Sequence, residues 1–130
     1  MPSESQEMNW DRYPNFTEAE FRCSHCGRIE MRPDFMARLQ SLRLAYGKPM
    51  KITSAYRCPE HPEEVKKKAP GTHTLGCAAD IAVEGTDAFE LLRHAMRMGF
   101  TGIGIKQKGP GRFIHLDTHD KSPRPNVWSY

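Results

Sequence analysis

Residues 113–119 read Phe113-Ile-His-Leu-Asp-Thr-His119, a run in which two kinds of side chain alternate. In an extended strand, successive side chains point to opposite faces. One face therefore carries Phe113, His115, Asp117 and His119, and the other carries Ile114, Leu116 and Thr118. Mostly apolar residues on one side and titratable residues on the other predict a sheet with a core face and a second face available for chemistry.

A second segment, residues 76–83, shows the same contrast. Its core face is expected to carry Cys77, Ala79, Ile81 and Val83. Asp80 falls on the opposite face between two alanines, which leave open space around its carboxylate. If this strand pairs with residues 113–119, His115 approaches Asp80 across the ladder. His73 precedes the strand in a turn and can fold back toward the same space.

These three residues, His73, Asp80 and His115, form a candidate metal site. Two imidazoles and one carboxylate are the ligand set of a catalytic zinc ion with an open fourth position. There are simpler explanations, because a strand histidine is more often a surface or satisfied core residue and Asp80 could pair with a cation. The joint placement of the three on polar strand faces favours the metal site.

Two helices are predicted from apolar spacing and end signals. Pro33 suits the first position of a helix and Gly47 stands where helices usually stop, so a helix is predicted over 33–46. A second amphipathic helix is predicted over 86–98. Its inward face is expected to carry Phe89, Leu92, Ala95 and Met96. A capping-box pattern at residues 17–20 predicts a short helical turn.

The remaining strands complete the predicted fold. Residues 51–57 and 102–107 have strand character, and the turn at 108–112 joins the second of them to 113–119 as a hairpin. The order of helix, strand, strand, helix and hairpin predicts an α+β domain. Its architecture is a small antiparallel sheet with helices packed on one face.

Length and charge limit the classes of function. The chain has 130 residues, so we expect a single domain over 1–130, with 1–15 as an extended N-terminal arm anchored by aromatic residues. The balance of 19 Lys and Arg against 16 Asp and Glu is too even for a nucleic-acid binder. The sequence has no apolar run typical of a membrane span or a signal peptide. We therefore expect a monomer that is made in the cytoplasm, without nucleic-acid or membrane partners.

The motifs together resemble a known family. They are Ser54-Ala-Tyr-Arg57, His73-Thr-Leu-Gly-Cys-Ala-Ala-Asp80, Gly102-Ile-Gly-Ile105 and Phe113-Ile-His-Leu-Asp117. They resemble the D-alanyl-D-alanine carboxypeptidase and murein endopeptidase family of zinc peptidases, whose metal site is laid out like that of hedgehog proteins. The similarity runs from about residue 16 to 128 and is nearest to the short single-domain members.

The resemblance implies a reaction. One catalytic Zn²⁺ is expected on His73, Asp80 and His115, with water in the fourth position as the nucleophile. The substrate is expected to be an amide bond in the peptide stem of bacterial peptidoglycan, cut as a carboxypeptidase or an endopeptidase. Such a protein acts on the cell wall, and the family's habits suggest a phage- or prophage-encoded lysis protein. Arg57 matches the family arginine that holds a substrate carboxylate or a developing oxyanion.

The general base is less well defined by the resemblance. Several relatives carry a carboxylate three residues before the last histidine, where this chain has Arg112. Asp117 is favoured as the base, with the orientation of a metal ligand as its other role. His119 is a more distant candidate. The missing carboxylate also supports the alternative function, a non-catalytic zinc-containing module that binds the cell wall or a protein.

The four cysteines allow several states. Cys23-Ser-His-Cys26-Gly27 resembles half of a zinc knuckle, but the matching pair is missing, because Cys58 and Cys77 are far apart in sequence. A four-cysteine zinc site, a Cys23–Cys26 disulfide and a Cys58–Cys77 disulfide all stay open. Cys77 is expected to pack in the core.

Overall fold

Five strands form one sheet in the order β1-β2-β4-β3-β5. The computed structural model describes residues 8–69 and 71–130. The strands are β1 Lys51–Ser54, β2 Ala78–Ala82, β3 Gly102–Lys106, β4 Phe113–Asp117 and β5 Asn126–Ser129. The first four pair antiparallel, whereas β5 runs parallel to β3.

The predicted α+β class is confirmed, with a mixed sheet in place of a purely antiparallel one. The difference is β5, which the sequence pattern does not predict. β4 ends beside the start of β3, where Asp117 pairs with Gly102. The chain then crosses to the free edge of β3 and re-enters at the same end, with the Asn126 N–H donating to the Thr101 carbonyl. A strand that begins there has to run parallel to β3.

The helices α1 (Pro33–Tyr46) and α2 (Gly85–Arg97) pack against one face of the sheet. As predicted, α1 begins at Pro33 and stops before Gly47, whose left-handed φ of 77° lets its N–H donate to the Arg43 carbonyl. The core between helices and sheet includes Phe35, Leu39, Ile81, Leu91, Ile114 and Leu116. Among the described residues, neither helix is long and apolar enough to cross a membrane.

The predicted inward face of α2 is wrong in part. Ala88, Leu91 and Ala95 are buried, whereas Phe89 and Met96 are 67% and 66% exposed. Both sets of residues recur at helical spacing, and their stripes lie side by side on the helix. The small side chains of the two alanines let α2 approach the sheet closely, so their stripe faces the core.

The N-terminal segment differs from the predicted arm. Residues 1–7 lie outside the described residues, and residues 8–15 are not an extended arm, because residues 10–12 form a short 3-10 helix. Trp10 packs 5.4 Å from the ring of Phe21, and Phe16 packs 5.5 Å from it. Burial of these rings draws the backbone back over the core. The capping box is confirmed at the next 3-10 helix, where Glu20 accepts from the Thr17 N–H.

The register of the central strands places the polar residues together. Asp80 of β2 lies opposite His115 of β4, and Ala78 lies opposite Asp117. The predicted alternation is confirmed, because Ala79, Ile81, Ile114 and Leu116 belong to the core shared with the helices. Asp80, His115 and Asp117 face the other way, under the loops and β5.

Candidate metal centre

The structure brings the three predicted metal ligands together. Ligand atoms of His73, Asp80 and His115 all lie within 4.8 Å of one another, and the three residues are 4–6% exposed. Antiparallel pairing places Asp80 opposite His115. His73 lies in the loop before β2, where its Nδ1 is 2.7 Å from the Ala55 carbonyl oxygen. A strand pair and a neighbouring loop therefore build the cluster.

Hydrogen bonds set the tautomer of His73 and orient the ring of His115. A carbonyl oxygen only accepts, so His73 donates from Nδ1 to Ala55, and its Nε2 faces Asp80 Oδ1 at 3.3 Å. His115 donates from Nε2 to Asp117 Oδ2 at 2.8 Å, and its Nδ1 faces the same Asp80 oxygen at 3.0 Å. Two ring nitrogens thus converge on one carboxylate oxygen.

This donor set fits a divalent cation. Nitrogen lone pairs and a carboxylate oxygen repel one another at these distances unless protons or a metal ion stand between them. Two ligands each about 2.0 Å from a tetrahedral zinc ion lie roughly 3.3 Å apart, close to the separations observed here. Histidines whose second nitrogen is held by a carbonyl or carboxylate are typical of metal sites. The residues present therefore fit zinc.

Burial and hydrogen bonds shift the pKa values within the cluster. Burial would raise the pKa of Asp80, but hydrogen bonds to His115 and His73 outweigh it and hold that pKa well below the usual range. Burial lowers the pKa of His73. Burial would also lower the pKa of His115, but its bonds to Asp117 and Asp80 raise it.

Asp117 is enclosed by hydrogen-bond donors and does not line the cleft. Its side chain is fully buried, and Oδ1 accepts from the His119 N–H and from Arg124 Nε, each at 3.1 Å. Oδ2 accepts from His115 Nε2 and Arg124 Nη2, each at 2.8 Å. Burial opposes ionisation, yet these bonds hold the pKa of Asp117 below its usual range. With four donors on two oxygens, this carboxylate has no lone pair free for a water molecule, which does not support the predicted base role.

Arg57 lies beside the cluster, as the sequence predicts. Its Nη2 is 3.6 Å from Asp80 Oδ2, and the side chain is 19% exposed. Ser54 Oγ accepts from its Nε at 3.2 Å, and Glu64 accepts from Nη1 at 3.4 Å. These partners hold the guanidinium at the wall of the cleft.

Sequence reasoning missed Glu64, Arg124 and Trp128. Glu64 lies in a loop without periodicity, although it is buried and accepts from the Gly71 N–H and the Thr74 hydroxyl. Arg124 stands between two prolines after the last predicted strand, and that unusual setting is the signal that could have drawn attention to it. Trp128 belongs to β5, which was not predicted.

The cluster forms the floor of a cleft of about 620 Å³. Aromatic side chains line it, with the Trp128 ring centroid 5.3 Å from that of His115. Gly104 makes room for this ring, because a Cβ there would lie 2.6 Å from Trp128 Nε1. A larger groove of about 820 Å³ lies near Trp10 and Glu30 but holds no metal-ligating cluster among the described residues. The smaller cleft is therefore the candidate active site.

The sequence of the chain is similar to those of known proteins. A family model described as peptidase M15 matches residues 14–117. The peptidoglycan L,D-endopeptidase MepK of Escherichia coli K12 is 31% identical over 90 residues, which cover 65% of this chain and 48% of that protein. MepK of Shigella flexneri matches with the same identity and coverage. The chain thus spans about half the length of the curated relatives it matches.

Proposed function

The chain belongs to the peptidase M15 family, and from this we propose that it is a metal-dependent peptidase that hydrolyses an amide bond in the peptide stem of bacterial peptidoglycan. The convergence of His73, Asp80 and His115 at the floor of an open cleft is the observation that carries this proposal. The relatives named as L,D-endopeptidases favour cleavage inside the stem over removal of a terminal residue. The site of action would then be the cell wall.

The metal would be zinc, held by two nitrogens and one oxygen. The ligand atoms would be His73 Nε2, Asp80 Oδ1 and His115 Nδ1, since the other nitrogen of each ring is engaged with Ala55 or Asp117. When bound, the ion polarises the scissile carbonyl and lowers the pKa of a coordinated water. Asp117 keeps the His115 ring oriented and its Nε2 protonated.

Arg57 would bind the substrate's negative charge. Its donors are held in place by Ser54 and Glu64 before substrate arrives, so little reorganisation is needed. A guanidinium at the cleft wall suits either a stem carboxylate or the oxyanion that develops at the attacked carbonyl. This role matches the one implied by the sequence motif.

His119 is the better candidate for proton transfer. Its ring lines the cleft, whereas the carboxylate of Asp117 is enclosed by Arg124 and His115. An imidazole there can take a proton from water and return it to the leaving amine. Arg112 cannot substitute for the carboxylate of the relatives, because it lies in the exposed β3–β4 turn and donates to the Gly109 carbonyl.

Mass spectrometry of digested peptidoglycan tests the proposed function. The zinc-loaded protein is expected to release stem fragments whose ends identify the bond that is cut. His115→Ala removes a metal ligand and should lower the rate about 10³-fold or more. His94→Ala is the matched control, since His94 lies on α2 at the opposite face of the sheet. A protein that holds its zinc but releases no fragment would instead be the binding module.

A further inference from the structure

Three cysteines form a second cluster outside the catalytic cleft. Sulfur atoms of Cys23, Cys26 and Cys58 all lie within 4.8 Å of one another. Cys77 is not part of this group, and its thiol donates to the Thr72 carbonyl. All four cysteines are free thiols, so neither a Cys23–Cys26 nor a Cys58–Cys77 disulfide is present. The knuckle-like pair is instead completed by Cys58, a residue remote in sequence.

His25 offers a fourth donor beside the three sulfur atoms. It lies between Cys23 and Cys26, and its Nδ1 is 3.5 Å from Cys58 Sγ. On a tetrahedral zinc ion, a sulfur about 2.3 Å and a nitrogen about 2.0 Å from the metal are roughly 3.5 Å apart. We propose that Cys23, Cys26, Cys58 and His25 bind a second zinc ion in a structural site.

The backbone around Cys23 is shaped for a thiolate ligand. The His25 N–H donates to Cys23 Sγ at 3.4 Å, and the Cys58 N–H donates to the same sulfur at 3.2 Å. Gly27, with φ of 75°, closes the turn by donating to the Cys23 carbonyl. Donors to sulfur stabilise a ligating thiolate and fix its direction.

Arg28 balances the charge of the proposed site. Zinc with three thiolates and a neutral imidazole carries one excess negative charge. Arg28 Nε lies 3.4 Å from Cys26 Sγ and supplies a cation beside it. Metal binding would displace the thiol protons to solvent, since the thiolate is the ligand form.

This ion would tie residues 23–28 to the loop between β1 and β2. Cys58 directly follows Arg57 and begins the loop that leads to His73. Two weaker contacts already join the same segments, an ion pair between Arg28 and Glu60 at 3.3 Å and a hydrogen bond between Ser24 and His61. A structural zinc adds its binding free energy to the folded state. It would therefore fix the backbone at Cys58, directly beside Arg57.

Metal counting tests the proposal independently of peptidase activity. The reduced full chain is loaded with zinc and desalted, and its metal content is measured by inductively coupled plasma mass spectrometry. We expect two zinc ions per chain. Cys26→Ser should hold one, His115→Ala should hold one, and the double variant none. Cys26 is exposed, so its change to serine leaves the core intact.

Cobalt substitution assigns each ion to its site. A thiolate-to-cobalt charge-transfer band is expected in the wild type and in His115→Ala but not in Cys26→Ser, because the histidine and aspartate cluster has no sulfur. Cys77→Ala is the matched control and should keep both the band and two ions. If serine at position 26 perturbs folding, His25→Ala provides a second variant, expected to weaken but not abolish the band.

The outcomes separate this inference from the proposed function. One ion that is lost in Cys26→Ser but not in His115→Ala supports the cysteine site and contradicts the proposed catalytic site. One ion lost only in His115→Ala, without a thiolate band in the wild type, overturns the inference. A disulfide within the cluster of the purified protein overturns it as well.

Discussion

Asp117 is positioned to orient His115, a proposed metal ligand, without itself reaching the proposed metal. Its carboxylate accepts from Arg124, the His119 N–H and His115 Nε2, and the last of these bonds fixes the orientation of the imidazole. Gly102, opposite it on β3, makes this possible, because a Cβ at that position would lie 2.2 Å from Asp117 Oδ2. An orienting role therefore explains both the burial of the aspartate and the glycine beside it.

Asp117→Asn should weaken zinc binding more than it slows the reaction. We expect zinc affinity to fall about 10–100-fold, because His115 loses its ionised partner. At saturating zinc, kcat should return to within about tenfold of the wild type, with an unchanged pH profile. Competition with a coloured chelator measures the affinity, and rates on stem peptides measure kcat.

The exposed Asp120→Asn is the control and should change neither quantity. A base role for Asp117 predicts the reverse pattern. Zinc affinity would stay the same, kcat would remain low at any zinc concentration, and the acidic limb of the pH profile would shift.

The loop between β1 and β2 is organised by one buried carboxylate. Glu64 accepts from the Gly71 N–H, the Thr74 hydroxyl and Lys67 Nζ, and it also contacts Arg57. Burial opposes ionisation, but these partners lower the pKa of Glu64 from 4.5 to about 2. The loop has no regular secondary structure, so this side chain replaces the backbone ladder that would otherwise order it.

Glu64→Gln should destabilise the protein in a pH-dependent way. Because the folded-state pKa is depressed, the stabilisation is fully present above pH 4.5 and is lost as the pH falls toward about 2. A depression from 4.5 to about 2 corresponds to about 3 kcal/mol of unfolding free energy near neutral pH. Denaturant unfolding of both proteins in chelator, from neutral to acidic pH, measures the difference.

That difference should shrink through the acidic range. Glu63→Gln is the matched control, because Glu63 is exposed and should alter stability little at any pH. A difference for Glu64→Gln that stays constant from neutral pH to pH 2 would show that the charge of Glu64 is unimportant.

The molecule separates its folding core from its chemistry. Helices α1 and α2 cover one face of the sheet, while His73, Asp80 and His115 lie on the other. No buried side-chain nitrogen or oxygen among the described residues lacks a hydrogen-bond partner. Because the helices and the sheet bury an apolar core of their own, we expect the fold to form without metal, unlike a coreless zinc finger.

Removal of metal should lower thermal stability and leave the fold intact. Dialysis against a chelator is expected to keep the far-ultraviolet circular dichroism at room temperature and to abolish peptidase activity. At a zinc concentration 100 times the dissociation constant of one site, binding at that site adds about 2.7 kcal/mol to the free energy of unfolding. The melting temperature should therefore rise when zinc is restored. Loss of helical signal in the chelated protein at room temperature would contradict this expectation.

The local pattern of the sequence determined the central strands, the two helices and the strand faces on which Asp80 and His115 lie. A strand has a strict period of two, so His115 and Asp117 had to face away from Ile114 and Leu116 once β4 formed. The Pro33 and Gly47 signals likewise act through the backbone of α1 alone. Predictions of this kind need only neighbouring residues.

Tertiary structure decided what depends on contacts between distant segments. β5 is short and mostly exposed, and pairing with β3 makes it a strand. Two adjacent stripes of α2 have the same helical period, so periodicity does not distinguish them. How closely the helix can approach the sheet decided that Ala88, Leu91 and Ala95 face the core. The approach of Arg124 to Asp117, and of Cys58 to Cys23, requires the closing of loops, and no local pattern identifies the residue at the other end of each loop. Short-range periodicity reports which way a side chain points, whereas the identity of its partner is set by the packing of the whole chain.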